Sequence, residues 1–141
     1  MSRVLIENEP LVECIEHDGT VIAHIVRAEK TARNTEFITA PHDKQQVGFI
    51  VYPAGGEIQR HTHRPIERRV VGMSEVLLVR KGLVEVDFYT DARTYIDTRT
   101  LRPGDLVVLV AGGHGFRCLE DAVLLEIKQG PYIGQNEKER F

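Results

Sequence analysis

Residues 55–63, Gly-Gly-Glu-Ile-Gln-Arg-His-Thr-His, are the stretch on which the interpretation of this sequence depends. A single residue separates the two histidines, His61 and His63. Side chains two residues apart on a β-strand point to the same face, so these imidazoles and the amide of Gln59 would lie side by side. Because imidazole is the commonest protein ligand of metal ions, the stretch predicts half of a metal site or, alternatively, a pair of surface histidines.

A second histidine-bearing stretch lies about fifty residues further along the chain. Residues 112–116 read Gly-Gly-His-Gly-Phe and follow the apolar run of residues 106–110. Glycines on both sides of His114 allow its backbone to approach another segment closely. Phe116, two residues later, would share the face of His114 on a strand and is expected to form an apolar wall beside it. Taken alone, His114 is equally compatible with a turn or core histidine.

The rest of the sequence consists of short strand-like segments separated by Gly, Pro and Asp. No segment shows a sustained apolar period of 3.6 residues, which argues against helices. Short strands at such spacing are typical of an all-β sandwich or barrel. The predicted strands are residues 11–15, 21–28, 47–52, 75–80, 83–89, 94–100, 106–110 and 122–128.

Composition restricts the classes of protein that this chain can represent. Its 141 residues predict a single domain, residues 1–141, with a polar and exposed C-terminal tail at residues 135–141. The formal net charge of -3 argues against nucleic acid as a partner. The sequence contains no apolar run of the roughly 18 residues that span a membrane, and no apolar signal segment at its start. We therefore expect a cytoplasmic protein.

Together, the two histidine-bearing stretches resemble the paired motifs of the cupin superfamily. The first motif is a glycine, five residues, His-x-His, a short gap, a glutamate, six residues and a glycine. Gly55, His61, His63, Glu75 and Gly82 follow that order. The second motif is a Pro-Gly-Asp corner, a strand and a histidine, and residues 103–114 are similar to it. The resemblance covers residues 47–128.

The resemblance implies a fold and a metal site. The fold would be a single-domain, jelly-roll type antiparallel β-barrel. One divalent metal ion inside it would be held by His61, His63, Glu75 and His114. Three imidazoles and one carboxylate suit Fe, Mn, Ni, Co, Cu or Zn, and are poor ligands for Ca.

This sequence departs from the cupin pattern in two places. Eleven residues, 64–74, separate His63 from Glu75, where the family usually has three or four. Glu67 lies at the usual short distance and is the rival carboxylate. We favour Glu75 because residues 76–82 supply the strand and the glycine turn that follow the glutamate in the family. The second departure is Val110, which stands where the family usually has proline.

The resemblance leaves the reaction open, because one fold carries many activities. Proteins with this motif pair include dioxygenases, isomerases, decarboxylases, and storage or ligand-sensing proteins. We expect a small-molecule metalloenzyme of the isomerase, epimerase or oxygenase type that acts on a small anionic or sugar-like substrate. The alternative is a non-catalytic protein that binds a sugar or an organic acid.

The insertion within the first motif and the unpaired strand edges suggest two partners. Arg64, Arg68 and Arg69 cluster within it against a single acid, Glu67, and guanidinium groups grip carboxylates and phosphates well. These arginines predict an anionic ligand, unless they are only surface charges. Unpaired sheet edges are usually covered, so we also expect a homodimer, with residues 4–6 and 11–15 as the candidate interface.

Overall fold

The computed structural model describes residues 9–134 and 137–141, and these residues form an all-β fold, as expected. Apolar residues alternate with polar ones in several strands, as in β6, where Val84, Val86 and Phe88 are buried and Glu85 and Asp87 are not. The strands of the described residues are β1 (Val12–His17), β2 (Thr20–Val26), β3 (Glu36–Phe37), β4 (Gly48–Phe49), β5 (Glu75–Lys81), β6 (Val84–Tyr89), β7 (Tyr95–Leu101), β8 (Leu106–Leu109), β9 (Gly113–Cys118) and β10 (Val123–Lys128).

The strands are arranged in antiparallel sheets. The largest sheet has five strands in the order β1-β2-β8-β5-β10, and the second has three in the order β7-β6-β9. A short hairpin of β3 and β4 stands apart from both. The central strand β8 pairs with β2 on one side and with β5 on the other, which agrees with the continuous apolar run that predicted it.

One hydrophobic core lies between the five-stranded and three-stranded sheets. It draws its members from β1, β2, β5 and β8 of the larger sheet and from β6 and β7 of the smaller one. Its fully buried members include Ile25, Val79, Phe88, Leu101 and Val107. At the side of this core, Arg99 of β7 pairs with Glu13 of β1 at 2.5 Å, so an ion pair also joins the two sheets.

A buried ionic cluster fixes the corner that precedes β8. The carboxylate of Asp105 has no exposed surface and accepts hydrogen bonds from the backbone N–H groups of Ala28 and Arg102. Nη1 of Arg27 lies 3.0 Å from the same carboxylate, and Nη2 of Arg27 lies 2.8 Å from Glu9. The corner at residues 101–105, expected as a turn, is therefore held by charged groups that have been removed from water.

The closed jelly-roll barrel is the part of the expectation that the structure corrects. Residues 50–74 contain no strand, and the predicted strand at residues 47–52 is reduced to Gly48–Phe49. Without a strand from this segment, β9 is the outer strand of its sheet and the space between the sheets stays open on one side. The local composition explains the difference, because Pro53, Pro65 and the glycines around them disfavour regular strand pairing.

Two further expectations concern membrane-spanning segments and the candidate dimer interface. No helix in residues 9–134 or 137–141 has the length and apolarity needed to cross a membrane. The candidate interface strand at residues 4–6 lies outside the described residues.

Candidate metal centre

His114 reaches the space between the sheets from β9. It pairs with Phe88 of β6, whose side chain is buried in the core, and directly paired residues of antiparallel strands share a face. Gly112 makes the entry to β9 possible. Its φ is +72°, and a Cβ there would lie 2.2 Å from the carbonyl oxygen of Tyr89. The glycines before His114 therefore serve the close backbone approach that the sequence suggested.

Glu75 faces His114 from the opposite sheet. It is the first residue of β5, and its side chain is only 13% exposed. Oε2 of Glu75 lies 3.5 Å from Nε2 of His114. The interaction with His114 holds the pKa of the Glu75 carboxyl below its ordinary value; burial opposes this shift, and the charges of Lys138 and Lys128 assist it. Glu75 is therefore an ionised carboxylate beside an imidazole.

A cavity of about 420 Å³ opens beside this pair. Apolar and polar groups share its wall, since Leu109, Val110 and Met73 accompany the charged residues. The ring of Phe116 lies 6.0 Å from that of His114 and packs against the core, but Phe116 is not among the residues that line this cavity. The charged or titratable residues that line the cavity are Lys44, Glu75, Asp91, His114, Glu137, Lys138 and Glu139.

His61 and His63 form a second pair, outside any strand. Their rings lie 5.1 Å apart at an angle of 75°, and both residues are exposed. Nδ1 of His61 lies 2.8 Å from the backbone carbonyl oxygen of Gln59, a contact within the same segment. The strand geometry that would place Gln59, His61 and His63 on one face is absent, because the segment pairs with no neighbouring strand in the described structure.

The structure thus holds the four expected ligands as two separate pairs. Among the described residues, no group of three or more His, Cys, Asp or Glu side chains comes together closely enough to hold a metal ion. Glu75 and His114 converge on the cavity, while His61 and His63 lie on the exposed segment that spans residues 52–72.

The remaining expected site residues also lie on that exposed segment. Glu67, the rival carboxylate, is exposed, and so are Arg64, Arg68 and Arg69. None of these four residues lines the cavity beside Glu75. None lines a second cavity of about 470 Å³ either, whose wall includes Val70, Met73, Gln129 and Glu137. Their part in binding stays a prediction.

Sequence reasoning missed the charged residues closest to Glu75. Lys128 is its direct partner across β5 and β10, and Lys138 lies in the C-terminal segment that borders the cavity. In residues 123–128, successive side chains point to opposite faces of the strand, and the sequence alone does not tell which face points inward. The structure assigns Leu124 to the core side and leaves Val123, Leu125 and Ile127 exposed.

Comparisons of the chain with family models, with curated proteins and with solved structures give no significant match.

Proposed function

We propose that this chain is a cupin-type protein that binds one divalent transition metal through His61, His63, Glu75 and His114, and a small molecule in the cavity beside it. The observation that carries the proposal is the Glu75–His114 pair, which comes from two different sheets and meets at 3.5 Å on the wall of a cavity of about 420 Å³. A cavity of this size can accommodate a small metabolite.

The chemistry of the donors fits a metal of the Fe-to-Zn range. Metal ions bind deprotonated carboxylates, and the lowered pKa of Glu75, due first to His114, keeps its carboxyl in that form. Two donors on rigid strands form half of a site, and the other half must come from the segment that bears His61 and His63. We therefore propose a site whose two halves come together only when the metal ion binds.

The segment that bears His61 and His63 could lie along the open edge of β9 when it completes the site. β9 is the outer strand of its sheet, and His114 points inward from it. The eleven residues 64–74 can span up to about 36 Å when extended, which is ample for His63 to reach the cavity from the start of β5. Coordination of both imidazoles would offset the conformational entropy lost when the segment becomes ordered.

The proposed activity follows from an open metal position beside an apolar wall. The ion would act as a Lewis acid toward a carbonyl or hydroxyl oxygen of the bound molecule. Leu109, Val110 and Met73 would form the apolar wall on that side of the site. We propose an isomerase, epimerase or oxygenase reaction on a small anionic or sugar-like molecule. Arg64, Arg68 and Arg69 would move with His63 and could then meet the ligand's charge.

The test is metal analysis of protein purified without an affinity tag. We expect about one transition metal ion per chain in the parent protein. The His61→Ala/His63→Ala double variant should lose it, because half of the donors are removed. A His17→Ala/His42→Ala double variant is the matched control, since it removes two histidines that lie outside the site. Retention of stoichiometric metal by the His61→Ala/His63→Ala variant would refute the proposal.

A further inference from the structure

The inner face of β10 carries charged side chains that lie outside the proposed metal site. β10 pairs with β5 so that Lys128 is opposite Glu75, Glu126 is opposite Leu77, and Leu124 is opposite Val79. Paired residues of antiparallel strands share a face, and Leu77, Val79 and Leu124 all pack in or against the core. Lys128 therefore points to the same side as Glu75, into the space between the sheets.

The ammonium group of Lys128 is paired with a carboxylate from the chain's own C-terminal segment. Nζ of Lys128 lies 4.0 Å from Oε1 of Glu137, and both side chains are largely shielded from solvent. Glu137 also borders the cavity that contains Glu75 and His114. The carboxylate that pairs with Lys128 is therefore the protein's own, and it lies beside the candidate metal centre.

Weak contacts hold this C-terminal segment, residues 137–141, against the protein. The ring of Phe141 lies 5.0 Å from that of Tyr89 in an edge-to-face arrangement, and Arg93 lies 5.2 Å above the Phe141 ring. Arg93 also pairs with Glu139 at 2.9 Å. By whole-residue area all five are exposed, although the side chain of Glu137 is shielded, and none belongs to a strand. Exposed ion pairs and single ring contacts contribute little each, so a ligand can displace the segment.

We infer that Lys128, which adjoins the cavity through Glu137 rather than lining it, binds the carboxylate of a small organic acid that enters the cavity, and that Glu137 competes with that acid for the same ammonium group. The inference deepens the proposed function, on which it rests for the biological role of the ligand. The cavity wall carries Lys44 and Lys138 as well as Glu75, Asp91 and Glu139, so its charges are mixed and favour a singly charged carboxylate over a doubly charged phosphate.

The strength of the internal contact sets the size of the effect. A partly exposed ion pair contributes about 0.2–1 kcal/mol, which corresponds to a factor of about 1.4 to 5 in an equilibrium constant. A competitor of that strength lowers the apparent affinity of an external carboxylate by a similar factor.

Titration with acetate, followed by nuclear magnetic resonance, tests the inference in the full-length protein freed of metal by a chelator. Glu137→Gln should bind acetate about 1.4 to 5 times more tightly than the parent, because it keeps the size of the side chain and loses its charge. Lys128→Met should bind it more weakly than the parent. Glu120→Gln and Lys81→Met are the matched controls, exposed residues outside the cavity, and should behave as the parent does.

Equal acetate affinity in Glu137→Gln and the parent would overturn the inference, and so would parental affinity in Lys128→Met. Glu137 is on the exposed C-terminal segment, so its variant tests the inference even if the Lys128 variant does not fold. Because the acetate titrations contain no metal, their outcome does not depend on whether the chain binds a metal ion. Loss of the acetate pattern removes the role of Lys128, whereas loss of metal binding removes only the proposed function.

Discussion

Glu75 and Glu67 are the two carboxylates that compete for the fourth ligand position, and their surroundings differ. Glu75 is mostly buried and lies 3.5 Å from His114, whereas Glu67 is exposed on the segment that joins His63 to Glu75. Glu75→Gln should therefore lower zinc affinity by at least about tenfold, because the neutral amide is a much weaker ligand. Glu67→Gln, the matched control, should keep the parental affinity in calorimetric titration. The opposite order would move the ligand to Glu67.

His24 gives the protein a pH dependence that is independent of the metal centre. It lies on β2 between Cys14 of β1 and Val108 of β8, and burial lowers its pKa, with a smaller opposing effect from Asp43. As pH falls through the ordinary histidine value near 6.5, the unfolded chain takes up a proton that the folded protein does not yet bind. The free energy of unfolding should therefore fall with pH from about 6.5 down to the lowered pKa of the folded state.

Urea unfolding between pH 7 and pH 5 measures this dependence. His24→Gln removes the titrating group, so its free energy of unfolding should change less over this range than that of the parent. An identical pH dependence in the two proteins would contradict the assignment to His24.

At the scale of elements, the corner before β8 depends on the buried pair of Arg27 and Asp105. Their side chains are 2% and 0% exposed. Asp105→Asn should destabilise the protein by about 3 kcal/mol, because it leaves a buried guanidinium with less compensating charge. The control, Asp97→Asn, weakens the more exposed pair with Arg99 and should cost less than about 1 kcal/mol. Comparable losses in urea unfolding would show that the buried pair has no special weight.

The individual strands show how much of the fold could be predicted from the sequence. Strands with strong apolar patterns, such as β8 and β6, were predicted close to their observed bounds. β9 was missed, because Gly113–Cys118 owes its strand to pairing with β6 rather than to its own composition. The converse holds for Gln59, His61 and His63: their spacing is compatible with one face of a strand, but no neighbouring strand pairs with this segment in the described structure. Local pattern identifies residues suited to a strand, and only long-range pairing decides whether one forms.

The candidate site likewise contains residues that the sequence pattern identified and residues that only the tertiary structure reveals. Motif spacing identified Glu75 and His114, which the fold brings together from two sheets. Lys128 was out of reach, since its inward direction depends on the register of β10 against β5. Glu137 lies close to Lys128 only through tertiary structure, which its position in a polar tail does not reveal.

At the scale of the whole molecule, the outer strands of the sheets predict association into a homodimer. β1 and β10 are the outer strands of the large sheet, and Leu11, Leu125 and Ile127 are exposed at or beside them. Light scattering at micromolar concentration should give the mass of two chains. A lower mass in Leu11→Lys would locate the interface at β1, and a lower mass in Ile127→Lys would locate it at β10. A parent protein with the mass of one chain contradicts the prediction.

In the proposed metal site, two pairs of residues that are separate in this structure would bind the same ion. Calorimetric titration of zinc into the metal-free parent, His63→Ala and His114→Ala compares the two pairs directly. We predict one binding event per chain in the parent, weakened at least about tenfold in both variants, because each removes a ligand of the same ion. Two binding events in the parent, each lost in only one of the variants, would show two unrelated sites and contradict the account.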